Sequence, residues 1–324
     1  VKIDVIASQR HYTRHLLPIW EALPVEVRGT FRSPQGLDPS EPFGYATTID
    51  YDPSPDYDVT DADVVIGAAW RDLSRMVRHR QTILIEHGAG QSYAGLDIPA
   101  YANASARIGL TAALVPAERC AQTIPPGTEA FVIGPTWYDA WHNHQRNVRR
   151  YRVGVTCHWD CDLLPETKPA LDHYFDAIVA MRDEGVEVVG HAHPRSETRW
   201  KRRYEEAGIT WVDYPTLLDT CSILIADNTS AIWEAAALRI PVVTINRAEY
   251  RRHVSHGLRF WGPVPGPSVD TPSELSDAVY RVIEAHDAMG SHARVVAQGV
   301  YDNLLDGSSA VRAAASILAV CSTQ

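Results

Sequence analysis

The sequence predicts an α/β protein built from two doubly wound parallel-sheet domains facing a central cleft. Three observations predict it. Apolar runs of four to six residues recur along the chain with helical segments between them, the pattern of parallel strands covered on both faces. That rhythm stops once, at the polar and aromatic stretch GPTWYDAWHNHQRNVRRY (134–151), and then restarts. The length of 324 residues also suits about two domains.

In order, KIDVIAS (2–8) reads as a strand and YTRHLLPIWEAL (12–23) as an amphipathic helix that Pro18 should kink or split. VEVRGTF (25–31) is the next strand, and a loop rich in Pro, Asp and Ser follows, with a possible short strand at ATTIDY. ADVVIGAA (62–69), helical RDLSRMVRHR and TILIEHG (82–88) continue the alternation. ARIGLTAA (106–113), PAERCAQTI and EAFVIG (129–134) complete a first domain, placed at 1–140.

After the crossover, YRVGVTCH (151–158) is a strand, and KPALDHYFDAIVAMRDEG (168–185) is a helix closed by Gly185. VEVVGHAH (186–193) is a strand, ETRWKRRYEEAG (197–208) a helix, and ITWVDY, PTLLDTC, SILIADN, TSAIWEAAALR and PVVTIN alternate strand and helix. The second domain is placed at 150–290, and a helical tail at 291–324.

Composition bounds the function. Hydrophobic residues make up 45% and charged residues 22%, as in ordinary globular proteins. A formal charge of −10 points away from nonspecific nucleic-acid binding. The Arg-rich stretches 75–80, 146–152 and 251–259 read as solvated faces. Five cysteines without a disulfide spacing suggest a reducing, cytoplasmic home. CHWDC (157–161) lacks a second ligand pair at a zinc spacing. No signal peptide or apolar run of about 18 residues is visible, so no membrane span is expected. Val1 stands directly before a strand, from which little chain is expected upstream.

Ligands on doubly wound sheets bind beyond the carboxyl ends of strands, so the informative residues stand there. Glu86 and His87 follow TILI, then come Gly88 and Gly90, where small residues let a ligand approach the backbone. A plain glycine-rich turn is the alternative. His191 and His193 end another strand before Pro194 and Arg195, as site residues or as a structural pair. Asp227-Asn228-Thr229-Ser230 stands where a buried strand meets a helix. Capping explains one polar residue there well and four poorly, whereas an anion at a helix N-terminus accounts for the group. Glu234 lies one turn into that helix, within reach of a ribose. No G-x-G-x-x-G, P-loop or G-x-S-x-G is present, which excludes those dehydrogenase, NTPase and hydrolase patterns.

These residues together resemble the GT-B-type transferases, with two Rossmann-like domains. Within them the chain looks most like the CDP-glycerol glycerophosphotransferases, with the UDP-N-acetylglucosamine 2-epimerases as more distant relatives. His87-Gly88 matches the family's first-domain histidine motif, and His193-Pro194 its second-domain motif, with Ala192 where Pro is expected. Asp227 to Ser230 matches its phosphate-holding stretch, with Asn228 in place of Tyr, and Glu234 its ribose carboxylate. YDNLLDGSSAVRAAASIL (301–318) is similar to the terminal helix that crosses back to the first domain, with an apolar face expected at Val311, Ala315 and Leu318.

The resemblance implies transfer of a sugar or glycerol-phosphate group from a UDP- or CDP-linked donor to an acceptor hydroxyl. His87 would be the general base. His193 would stabilise the leaving phosphate, with Arg195 or His191 beside it. No cofactor and no metal are required, and the acceptor is left open. An isomerase acting on a UDP-sugar, using acids such as Asp97, Glu118 or Glu129, is one rival. A non-catalytic nucleotide-sugar-binding module is the other.

Overall fold

The computed structural model describes residues 1–7, 9–32, 62–69, 73, 81–88, 110–121, 124, 127–160, 165–251 and 264–322. They fall into two compact units, Val1–Asn143 with Tyr301–Gln324, and His144–Val300. The ATTIDY strand and the 71–80 helix expected from the sequence lie outside the described residues, apart from Leu73.

Unit 1 contains a parallel sheet of β1 (Ile3–Ile6), β2 (Arg28–Arg32), β3 (Val64–Gly67), β4 (Gln81–Ile85), β5 (Ala112–Val115) and β6 (Glu129–Val132). Their spatial order is β2-β1-β3-β4-β5-β6. The chain steps outward from β1 to β2 and returns on the other side at β3. This leaves a topological switch point between β1 and β3. Every residue of β1, β3 and β5 is buried, Asp4 of β1 included, and β3 and β5 read as unbroken apolar runs for that reason. The edge strands β2 and β6 are partly exposed.

Helix α1 (Arg10–Ala22) follows β1 and runs through Pro18 as one element. Leu16, Ile19 and Leu23 are buried on its inner face, and this packing spans the hydrogen bond that proline cannot make. Val25–Val27 forms a 3-10 turn, so the strand expected from residue 25 begins at Arg28. The strand expected at 106–113 is Ala112–Val115, the wholly apolar AALV. A one-turn helix α2 (Glu118–Ala121) precedes β6.

Unit 2 repeats the plan with β7 (Val153–Thr156), α3 (Leu171–Asp183), β8 (Val188–Gly190), α4 (Glu197–Glu206), β9 (Thr210–Trp211) and α5 (Tyr214–Thr220). It continues through β10 (Ile223–Ala226), α6 (Ala231–Ala237), β11 (Val242–Ile245) and β12 (Ser268–Val269). The parallel order is β12-β11-β10-β7-β8-β9, with the switch point between β7 and β10. Gly185 closes α3 with φ 95°, a left-handed conformation that glycine adopts without steric cost. A Cβ on Gly190 would lie 2.5 Å from the Tyr204 ring, so glycine lets α4 pack directly on β8.

The tail forms α7 (Leu275–Glu284), α8 (His286–Val300) and α9 (Ser309–Ser322). Of these, α7 and α8 belong to unit 2 and α9 to unit 1. Ala313, Ala314, Ile317 and Val320 of α9 join the core that contains Leu16 and Ile19 of α1. The face expected from Val311 and Ala315 is exposed instead, because the buried stripe is displaced around the helix.

Candidate functional site

In unit 2, β7 and β10 pair in register, Thr156 opposite Ala226, so the segments after them leave the sheet side by side. Asp227 turns inward and is fully buried. Its two carboxylate oxygens accept the backbone N–H of His158 at 2.7 Å and of Ala170 at 2.9 Å. It therefore ties together the loop that follows β7. Burial pushes its carboxyl up to about 7, against the opposing pull of those two N–H donors.

Asn228 is also buried, and its Nδ2 donates to the Glu166 carbonyl. The Glu166 carboxylate takes a fork from Arg251, with Nε at 2.8 Å and Nη2 at 2.8 Å, plus the Arg251 backbone N–H at 2.7 Å. Asp227 and Asn228 thus face protein partners and leave Thr229 and Ser230 at the mouth of α6, both partly exposed. Ser230 has helical backbone angles and makes no side-chain capping bond, while Thr229 Oγ1 accepts the Ala231 N–H at 3.4 Å. One of the four residues takes a weak capping role, and Ser230 takes none.

Glu234 is buried beneath that mouth and accepts the Tyr214 hydroxyl at 3.0 Å. His191 lies beyond the end of β8, with Nδ1 2.9 Å from Thr156 Oγ1. Its ring stacks on Trp211 with centroids 5.6 Å apart and meets Tyr214 at 5.0 Å. Thr156, His191, Tyr214 and Glu234 thus form a polar column across the carboxyl ends of the four neighbouring strands β10, β7, β8 and β9. Tyr214 and Trp211 escaped sequence reasoning because YPTLL reads as an ordinary helix start, and Trp211 as an interior strand residue.

His193 caps a 3-10 turn, its Nδ1 accepting the Arg195 N–H at 3.2 Å. In the neutral ring this leaves the proton on Nε2, which makes that atom a donor. The exposed Arg195 guanidinium lies 4.4 Å from the Trp159 ring, which is 6.1 Å from His193 and stacks on His158. His158 Nδ1 faces the carbonyls of Trp159 and Thr167 at 2.7 and 3.0 Å, which fixes it as an N–H donor. CHWDC thus contributes an aromatic platform through Trp159.

In unit 1, Glu86 extends the ladder by one bond, N–H to the Leu114 carbonyl at 2.9 Å. Burial pushes its carboxyl up to about 7. The His87 ring meets Tyr12 edge-on at 4.7 Å, His11 at 5.8 Å and His15 at 6.1 Å. His11 and His15 stand one helical turn apart on α1, a spacing that could have drawn attention to them from sequence. Gly88 is buried, while Gly90 and Asp97 lie outside the described residues.

Glu118 is exposed at the start of α2, and Glu129 begins β6, at the pole of the sheet opposite the strands' carboxyl ends. Among the described residues, no group of three or more His, Cys, Asp or Glu side chains gathers as a metal site, and no helix is long and apolar enough to cross a membrane.

No protein-family model and no curated protein sequence matches the chain. Solved structures do. A proposed UDP-N-acetylglucosamine 2-epimerase from Listeria monocytogenes superposes with TM-score 0.60 at 16% identity, covering 100% of this chain and 97% of that one. The UDP-GlcNAc 2-epimerase of Neisseria meningitidis, bound to UDP-GlcNAc, gives 0.57 at 13%, covering 100% of both chains. The wall teichoic acid polymerase TagF gives 0.54 at 12%, covering 94% of this chain and 88% of that one. With its two parallel six-stranded sheets and these neighbours, the chain has a GT-B-like fold of two Rossmann-like domains.

Proposed function

We propose that the protein is a GT-B-type transferase that moves a sugar or glycerol-phosphate group from a UDP- or CDP-linked donor to an acceptor hydroxyl. The observation that carries this reading is the arrangement at the β7–β10 switch point. Thr229 and Ser230 present hydroxyls at the mouth of α6, above buried Glu234 and near the end of the strand that leads to His193. That is a set of donors for a diphosphate with a carboxylate for a ribose. The neighbouring structures in complex with UDP-GlcNAc fit the same donor class.

In this mechanism the hydroxyls of Thr229 and Ser230 hold the diphosphate, and Glu234 accepts from the ribose while Tyr214 orients it. His193 donates from Nε2 to the leaving phosphate, where developing charge rewards a fixed donor. Arg195 adds a positive charge on the same turn, braced on Trp159. His87 removes the proton of the acceptor hydroxyl, a role worth about 10² to 10⁴ in rate. The test is calorimetric. Ser230→Ala and Glu234→Ala should each weaken donor binding about tenfold or more, the loss of one hydrogen bond to a charged group. Unchanged affinity in both variants would remove the donor from this place.

A second reading, an epimerase acting on a UDP-sugar, is favoured by the epimerase neighbours that cover the whole chain. Against it stands Glu129, a candidate acid that lies at the wrong pole of the sheet. Release of an epimerised nucleotide sugar without any acceptor would select this reading over transfer.

A further inference from the structure

A cavity of about 760 Å³ opens at the amino ends of β7 and β10, the pole of the unit 2 sheet opposite Thr229, Ser230 and Glu234. Its walls are the turn that leads into β7, Ser222 before β10, and the corner between α7 and α8 at 283–288. All of these residues belong to unit 2. The volume falls in the range of about 300–1,000 Å³ that small-molecule sites occupy.

The turn runs from Arg149 to Arg152 and is closed by the Arg152 N–H, which donates to the Arg149 carbonyl at 3.1 Å. Both of its ends are fastened. The Arg149 N–H donates to the Thr220 carbonyl, and the Arg152 carbonyl accepts the Ser222 N–H, each at 2.9 Å. The third residue of the turn, Tyr151, has φ 64°. A positive φ at that position favours glycine or asparagine, and a bulky aromatic residue there is strained. The ring is also 39% exposed, with the Arg150 guanidinium 4.6 Å from its centre. Neither burial nor backbone preference selects a tyrosine at this place, whereas contact with a ligand would.

The charges around the cavity select the ligand. Arg150 and Glu284 both line it, yet neither forms an ion pair among the described residues. Asp287 adds a second carboxylate, 3.2 Å from His286 Nδ1, while His286 Nε2 lies 2.9 Å from the Ser222 carbonyl and ties the corner to β10. Val148, 44% exposed, and Ile283 supply apolar wall between the charged groups. A ligand with only a carboxylate would leave Glu284 and Asp287 unmatched and opposed to it. One with only an ammonium group would leave Arg150 unmatched. A zwitterion with an apolar body satisfies all three kinds of wall.

We propose that unit 2 binds a free α-amino acid with an apolar side chain in this cavity. Its carboxylate meets Arg150, its ammonium group meets Glu284, and its side chain lies against Tyr151 and Val148. The site is separate from the one proposed for the donor, and it stands whether or not the protein transfers a group.

The test is titration calorimetry of the full chain at neutral pH with L-phenylalanine or L-leucine. Each is run beside the analogue that lacks its amine and the analogue that lacks its carboxylate. Saturable binding of at least one amino acid is expected, with both of its analogues weaker by about tenfold or more, the worth of one hydrogen bond to a charged group. Arg150→Ala and Glu284→Gln, both at exposed positions, should each weaken binding by about tenfold. Tyr151→Gly should weaken it as well without lowering the unfolding temperature, because glycine adopts that φ without strain. The proposal is overturned if neither amino acid binds, if the analogues bind as tightly, or if any of the three variants keeps its affinity. A lowered unfolding temperature in Tyr151→Gly would make the tyrosine a packing residue and overturn its place in the site.

Discussion

Asp227 shows how one buried carboxyl can hold a loop in place. It gathers the N–H groups of His158 and Ala170, so the loop carrying His158 and Trp159 is anchored to the end of β10. Asp227→Ala leaves two buried N–H groups unpaired and should lower the stability of unit 2 by roughly 2–5 kcal/mol, read from denaturant unfolding. A change below 0.5 kcal/mol would show that the loop is held by other bonds, given that surface substitutions usually stay within about that range.

A pH effect follows from the same residue scale. Glu86 rises from 4.5 to about 7 and Asp227 from 3.8 to about 7, so each holds its proton more tightly in the folded chain than in the unfolded one. Stability from both is present below the unfolded values and is lost as pH rises through the folded ones. Unfolding free energy should therefore fall between about pH 4 and pH 7, with a shallower fall in Glu86→Gln and in Asp227→Asn. Equal slopes in all three proteins would contradict the burial of these carboxyls.

The positions of these residues after strands were readable from the apolar runs before them. Their directions were not, because DNTS is four small polar residues in a row. Whether each faces ligand or protein depends on Glu166, Ala170 and His158, which are remote in sequence.

At the scale of elements, α9 explains why the tail matters. Asp139 accepts the backbone N–H groups of Ser309 and Ala310 at 3.1 and 2.7 Å, capping a helix 170 residues away in sequence. Arg312 adds a bond to the Ile133 carbonyl at 2.7 Å. Asp139→Ala should cost about 1–2 kcal/mol, the usual price of a lost N-cap. Ile317→Ala, in a fully buried position, should cost roughly 2–5 kcal/mol. Thermal unfolding with fluorescence detection would check both, and a smaller effect for Ile317→Ala than for Asp139→Ala would contradict the packing described.

Strands were the easiest elements to read, because β1, β3, β5, β7, β10 and β11 are buried throughout and carry no polar alternation. Helix α1 was harder. Proline predicts a break, yet the apolar contacts of Leu16, Ile19 and Leu23 outweigh the missing bond. The buried face of α9 was misjudged from Val311 because an alanine-rich helix offers many equivalent stripes. The cores of α1 and the unit 1 sheet select the one through Ala313, Ile317 and Val320.

At the scale of the molecule, unit 2 is one continuous stretch, whereas unit 1 is completed by residues 301–324. A chain ending at residue 300 should lose amide-exchange protection in β1, β3, β4 and β5 while β7, β10 and β11 keep theirs. Uniform loss in both sheets would contradict the division into two units. Two doubly wound sheets were visible in the sequence as one rhythm played twice. The partition of the tail was not, since α8 and α9 are both amphipathic and differ mainly in which core receives them.

Group transfer from a nucleotide-linked donor can be followed in a single assay. The full chain would be incubated with UDP- and CDP-linked sugar or glycerol donors, with and without hydroxyl-bearing acceptors, and the products separated by mass. Acceptor-linked product should form together with released nucleotide, and its rate should fall about 10²-fold or more in His87→Ala while donor affinity is retained. An epimerised donor without acceptor product, binding without turnover, or transfer by His87→Ala at the wild-type rate would contradict transfer with His87 as its base.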